Sequence, residues 1–201
     1  MTLPRRPAAV DPTPVDLGEY DKTTLAAAAA AVVVQRTRVV ADFPVPGVLF
    51  RDVTPVLADP SGLALVAGAL ATTAGEFDLV AGLDARGFLL GGAVGAIFGT
   101  GVLAIRKPGK LAGAVIGEDY RLEYGTARLE LHPDDVPDGA RVLIVDDVLA
   151  TGGTAAAACS LLRRAGADVI AVAVVLELAE LGGRALVQAA LPVPVHAIAV
   201  V

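Results

Sequence analysis

Two adjacent carboxylates, Asp146 and Asp147, follow the apolar run Val142-Leu143-Ile144-Val145, and the turn Ala150-Thr151-Gly152-Gly153-Thr154 comes just after them. Glycines in such a turn let backbone amides crowd around a phosphate. Thr151 and Thr154 add hydroxyl donors, and a following helix offers its positive end. Carboxylates repel phosphate but accept hydrogen bonds from vicinal sugar hydroxyls. The residue types therefore point to a phosphorylated ribose. A plain strand-to-helix turn with Thr154 as N-cap is the simpler alternative. The apolar strand and the acid pair directly upstream favour the sugar phosphate.

These residues need a rigid support, and the surrounding pattern describes one. Val142–Val145 reads as a buried strand ending at the acids, and Ala155–Leu162 reads as a helix. Acids and a glycine-rich turn at the carboxyl end of a buried strand are how open α/β sheets build ligand sites. Leu79–Gly82, Val102–Ile105 and Val169–Leu176 are further short apolar strands, and His196–Val201 is a closing edge strand. Helices are expected from Thr23 or Thr24 as cap to Arg38, over Ser61–Ala74 and over 88–98. This alternation predicts an α/β fold with a mainly parallel sheet. Asp42–Asp52 (DFPVPGVLFRD) is a loop constrained by two prolines and a glycine. Residues 107–126 are glycine-rich and polar and are expected to form a mobile excursion, with Ala127–Leu131 as its returning strand.

Composition narrows the class. At 201 residues the chain is long enough for one domain with a sizeable core. Residues 1–22, rich in proline and without periodicity, are expected to be a disordered extension ahead of a domain over 23–201. With 16 basic and 22 acidic residues the net charge is −6, and aromatics are few, which argues against a nucleic-acid partner. Against that acidic background Arg106, Lys107 and Lys110 form a tight basic cluster. Cys159 is the single cysteine, so no intrachain disulfide exists, as in a reducing compartment. In its alanine-rich setting it reads as a buried structural thiol rather than a nucleophile.

Phe88–Ile105 is 18 residues without a charge and raises the question of a membrane span. Its five glycines and the Gly99-Thr100-Gly101 turn signal favour a buried helix, a turn and a buried strand. Pro4, Pro7, Pro12 and Pro14 interrupt any secretory h-region. A soluble cytoplasmic chain with no membrane partner is expected.

The Val142–Thr154 stretch resembles the diphosphate-sugar signature of the type I phosphoribosyltransferases. Five more segments, in consistent order over about residues 36–190, resemble the adenine-specific branch of that family. They are Asp42–Pro55 (DFPVPGVLFRDVTP), Gly82–Phe88 (GLDARGF), Ile105–Leu111 (IRKPGKL), Leu122–Gly125 (LEYG) and Glu177–Leu181 (ELAEL). The resemblance implies the type I phosphoribosyltransferase fold with a flexible hood loop. It implies transfer of ribose 5-phosphate from 5-phosphoribosyl 1-diphosphate (PRPP) to adenine, giving AMP and diphosphate, in a homodimer. Two departures stand out: the segment Thr37-Arg38-Val39-Val40-Ala41 and Ala112 occupy places where members commonly have a proline.

The resemblance also implies roles. Asp146 and Asp147 orient the ribose hydroxyls near the positive charge that develops on the sugar, and Ala150, Thr151, Gly152, Gly153 and Thr154 hold the 5-phosphate. Arg86, at the tip of a loop, contacts the diphosphate, helped by backbone amides of Asp84, Ala85 and Gly87. Arg106, Lys107 and Lys110 suit the charge on the leaving diphosphate. Glu123 serves acid–base chemistry on the purine as the hood closes, with Tyr124 over the site. Leu49, Phe50, Arg51 and Leu178 form the base pocket, although Leu178 alone would pass for core. Mg2+ is expected to arrive with PRPP rather than in a protein cage.

Two rivals remain at this point. A 6-oxopurine enzyme for hypoxanthine, guanine or xanthine keeps the fold but needs a donor to the oxo group, which the apolar Leu178 disfavours. A non-catalytic PRPP-sensing regulator needs a DNA-binding domain or basic face, which the short extension and negative charge do not supply.

Overall fold

Parallel strands alternate with helices along most of the chain. The computed structural model describes residues 16–121 and 125–201. Helix α1 (Lys22–Arg36) starts from Asp21, whose carboxylate accepts the amides of Thr23 and Thr24, each at 2.8 Å. The expected threonine caps thus lie inside the helix, because one carboxylate takes both amides and the hydroxyl of Thr24 as well. Most of the expected extension, residues 1–15, lies outside the described residues. Leu17–Glu19 form a 3-10 turn, and Leu17 and Tyr20 pack against Leu25, Ala29, Leu65 and Ala69.

α1 ends at Arg36 instead of Arg38. The β-branched pair Val39-Val40 belongs to β1 (Arg38–Ala41), which pairs antiparallel with β2 (Leu49–Asp52) across the proline loop. A short helix α2 (Thr54–Leu57) leads to α3 (Pro60–Ala74), which has Pro60 at its first position and buried Asp59 as cap.

Five strands make a fully parallel central sheet. They are β3 (Leu79–Leu83), β4 (Gly101–Ile105), β7 (Arg141–Leu149), β8 (Asp168–Glu177) and β9 (Val195–Val200), in the spatial order β4-β3-β7-β8-β9. Helix α4 (Arg86–Phe98) links β3 to β4, and α5 (Gly153–Arg164) links β7 to β8. The chain moves outward in opposite directions from the β3/β7 boundary. Right-handed crossovers then send α4 and α5 to opposite faces. The core follows: Leu143 and Val145 pack with α3 and α4, while Val142 and Ile144 pack with α5. The continuous apolar run of β7 is apolar because both its faces are covered.

Within the stretch expected to be an excursion, residues 116–121 form a regular strand. β5 (Ile116–Arg121) and β6 (Thr126–Leu131) form an antiparallel hairpin. Its docking contacts on α5, described below, are tertiary, so the local composition does not announce them. At the other end, α6 (Gly183–Ala190) precedes Pro192 and was not legible in the sequence. The helix–turn–strand reading of Phe88–Ile105 holds, with Gly99 left-handed at φ 68°. Among the described residues no helix is long and apolar enough to cross a membrane.

Candidate active site

β7 does not stop at the acids; it continues through Asp146 and Asp147 to Leu149. Alternation along the strand starts the two side chains on opposite faces, yet their carboxyls stay close enough for the charge of Asp147 to act on Asp146, whose Oδ1 also lies beside Gly87. Asp146 follows Val142 and Ile144 toward the α5 side and lines a cavity of about 80 Å³ with Ala150, Thr151, Gly152, Gly153 and Thr154. Asp147 follows Leu143 and Val145 toward α4. There its Oδ2 lies 2.5 Å from Arg86 Nε.

Arg86 is not at a loop tip but is the first residue of α4, next to the Asp84–Ala85 cis peptide. No side chain caps this helix, so its first amides are open to an anion. Its guanidinium is ringed by Asp147, by Asp52 at 4.0 Å and by the face of Phe50, 5.8 Å from the ring centroid. Gly87, the next residue, is buried.

Asp146 is held differently. Its Oδ1 accepts the amide of Asp147 at 2.9 Å. Burial, reinforced by the neighbouring charge of Asp147, pushes its carboxyl well above the ordinary carboxylate range. The pair thus divides into a member of raised proton affinity beside the glycine turn and a member paired with Arg86.

The turn itself ends in Gly152, left-handed at φ 84°, which is the N-cap of α5 and supplies no side-chain cap. Thr154 is consequently inside the helix, and its hydroxyl donates to Tyr120 Oη at 3.2 Å. Two uncapped helix starts, α4 and α5, thus flank two carboxylates at the carboxyl edge of the sheet. They sit where strand order reverses, the position at which open α/β sheets bind ligands.

Comparison with known proteins agrees with this geometry. The phosphoribosyl transferase domain model matches residues 54–188. The adenine phosphoribosyltransferase of Mycobacteroides abscessus is 58% identical over 84% of this chain and 94% of its own length. The chain belongs to the adenine phosphoribosyltransferase family. Among solved structures, the adenine phosphoribosyltransferase of Rhodothermus marinus superposes with a TM-score of 0.80 at 43% identity, covering 87% of this chain and 99% of its own. That of Saccharomyces cerevisiae, solved with an imino-altritol bisphosphate and adenine, gives 0.79 at 32% identity, covering 86% and 99%.

The segment resembling the adenine-binding part of this family is split by its strand geometry. Phe50 turns toward Arg86 and stacks edge-on with Phe43 at 5.1 Å. Arg51, one residue on, sits on the other face of the hairpin, lining a separate recess of about 160 Å³ with Val39, Leu176 and Val201. Its side chain therefore does not accompany Phe50. Leu49 is half exposed. Leu178 leans on the apolar core, and its amide donates to Leu149 O at 2.9 Å, tying the end of β8 to the end of β7.

The basic cluster divides as well. Arg106 is engaged by its own loop: its Nε is 3.6 Å from Asp84 Oδ2, it donates to Lys110 O, and it lies over the Phe88 ring. Lys107 and Lys110 are exposed, and the Lys107 amide points at Asp84 Oδ2 at 3.4 Å. Arg106 is thus a brace for the loop that carries the two lysines. Glu123 and Tyr124 lie outside the described residues.

Two residues near the site escaped the sequence reading. Asp52 salt-bridges to Arg86 and accepts the amide of Thr54 at 2.9 Å; the Thr54 side chain first, then that amide and the Arg38 and Arg86 charges, hold its carboxyl below the ordinary range against its partial burial. Its place in the FRD triplet was the available signal. Tyr120 had none, because only the docked hairpin brings it to Thr154. The hairpin is further fastened by Glu118, which accepts from Ser160 at 3.0 Å and from Arg164 at 2.6 Å.

A magnesium ion carried by a diphosphate sugar would find hard oxygen donors here. Asp146 and Asp147 are adjacent carboxylates, whereas among the described residues no cluster of three or more metal-ligating side chains forms a cage. Mg2+ typically takes one or two carboxylates and completes its shell with substrate oxygens and water, so this donor set fits it.

Proposed function

We propose that this chain transfers ribose 5-phosphate from PRPP to adenine, releasing diphosphate and forming AMP. The observation that carries the reading is the Arg86–Asp147 pair set between two uncapped helix starts. It supplies a cation and amides for the diphosphate, carboxylates for the ribose, and a second anion cradle for the 5-phosphate.

In this reading the turn Ala150–Thr154 binds the 5-phosphate through its amides and threonine hydroxyls. Arg86, with amides from Asp84 to Gly87 and the exposed Lys107 and Lys110, receives the diphosphate. Asp147, released from Arg86 as the diphosphate takes the guanidinium, turns its carboxylate to the ribose hydroxyls. Asp146, at the edge of the same turn, accepts hydrogen bonds from the ribose hydroxyls alongside it. Bound Mg2+ screens the charge of the leaving diphosphate. Phe50 offers a flat face to the purine, and Glu123 exchanges a proton with its ring. Closure of the segment around Tyr124 excludes water, so hydrolysis does not compete with transfer.

One phosphoribosyltransferase domain spans residues 23–201 and works as a cytoplasmic homodimer. The exposed apolar side chains Leu89, Ile97 and Phe98 of α4, with Val102 on β4, are the kind of surface a second copy covers. A net charge of −6 opposes any nucleic-acid role.

The test is turnover with PRPP and Mg2+ against each purine base in turn. AMP from adenine alone is expected; activity only with a 6-oxopurine would overturn the base assignment. A gel shift on duplex DNA without turnover would instead favour the regulator reading.

A further inference from the structure

The glycine turn is shaped from behind by a helix that touches no substrate in the reading above. Gly183, the first residue of α6, meets Gly152 backbone to backbone. A Cβ built on Gly152 would lie 2.9 Å from both Cα and C of Gly183 and closer still to its carbonyl oxygen. A Cβ on Gly183 would lie 2.9 Å from Gly152 N and press into the carbonyl of Ala150. Neither obstacle is a side chain that can swing away, so the two backbones are in contact only because both residues are glycine.

The next residue pins this helix start to the sheet. Arg184 grips Glu177 with Nε on Oε1 at 3.0 Å and a second nitrogen on Oε2. Its remaining nitrogen donates to Val195 O. Glu177 is the buried last residue of β8, and Val195 is the first of β9. A bidentate fork fixes orientation as well as distance. One arginine thus locks the start of α6 to two strands of the sheet whose neighbour, β7, delivers the turn.

We infer that Gly183 and the Glu177–Arg184 clamp are positioning elements for the 5-phosphate cradle, setting the curve of Ala150–Gly152 so that its amides converge. The inference rests on the reading of that turn as the phosphate site. A displacement of about 1 Å at a binding loop is enough to change rates strongly. The clamp should therefore govern PRPP more than adenine.

The test compares Gly183→Ala and Arg184→Met with Thr151→Ala and Thr154→Ala in the turn itself. KM for PRPP and for adenine, kcat, melting temperature and calorimetric binding of ribose 5-phosphate are read for each. Gly183→Ala is expected to raise KM for PRPP and weaken ribose 5-phosphate binding by about tenfold or more. KM for adenine should move less than about twofold, and Arg184→Met should act in the same direction more weakly. A fall in kcat alone, with KM for PRPP unchanged, would mean only fewer folded molecules and would overturn the inference. Should Gly183→Ala not fold, the KM split in Arg184→Met decides. If the threonine variants leave PRPP binding unchanged, the phosphate reading itself fails. If they weaken it while the Gly183 and Arg184 variants do not, only the clamp fails.

Discussion

Arg86 Nε lies 2.5 Å from Asp147 Oδ2, and the carboxylate is almost fully buried. Arg86, which the proposed reading gives to the diphosphate, thus pairs with Asp147, which it gives to the ribose. Substitutions can separate what this contact contributes to stability from the role proposed for it in turnover.

Arg86→Gln leaves Asp147 without its close cation. Breaking a buried pair from one side costs about 3–5 kcal/mol, but Arg86 is a third exposed, so about 1–2 kcal/mol is expected. Adding Asp147→Asn should recover much of that stability and none of the activity. Denaturant melts of the single and double variants, beside turnover assays, check both halves.

Asp146 gives a pH dependence with a definite sign. Its folded-state proton affinity is raised above the ordinary value of 3.8, so the native state binds the proton more tightly than the unfolded chain. Stability of the substrate-free protein should then fall as pH rises from that ordinary value through the raised one. Asp146→Asn should flatten this slope and raise stability near neutral pH above that of wild type, while turnover drops. Melting curves across pH, wild type against variant, are the measurement.

Glu123→Gln is expected to slow the chemical step by about 10²-fold or more, with PRPP affinity little changed. A single-turnover rate equal to that of wild type would remove the acid–base role.

Tyr120→Phe removes the partner of the Thr154 hydroxyl. A neutral, partly buried hydrogen bond contributes about 1 kcal/mol, so stability should drop by that order. KM for PRPP should also rise if hairpin docking tunes the phosphate turn. Kinetics and a melt on one variant decide this.

Cys159 is fully buried, and burial pushes its thiol up to about 12. A neutral, inaccessible thiol should not react with a chromogenic disulfide until the protein unfolds. Cys159→Ala should keep full activity and lose about 1 kcal/mol of stability or less, as a small core truncation.

The sequence by itself determined the residue types at the site, the parallel α/β class and the buried thiol. Those properties are local. An apolar run followed by acids and a glycine turn has the same chemistry wherever it is placed, and alternating strand and helix patterns leave few topologies. It also carried the helix over Ser61–Ala74 and the helix–turn–strand of Phe88–Ile105, through periodicity and turn chemistry that act over a few residues.

Tertiary structure decided how these residues are divided. Strand alternation sends Asp146 to the turn and Asp147 to Arg86, and separates Phe50 from Arg51, once β7 and the β1–β2 hairpin have a register. Arg106 became a brace because Asp84, 22 positions earlier, lies next to it in the fold. Strand β5 is fastened by long-range contacts from Glu118 and Tyr120 to α5. The fit of Gly183 against Gly152 depends on two segments 31 residues apart meeting without side chains. Such relationships arise from packing between distant segments, and no window of neighbouring residues contains them.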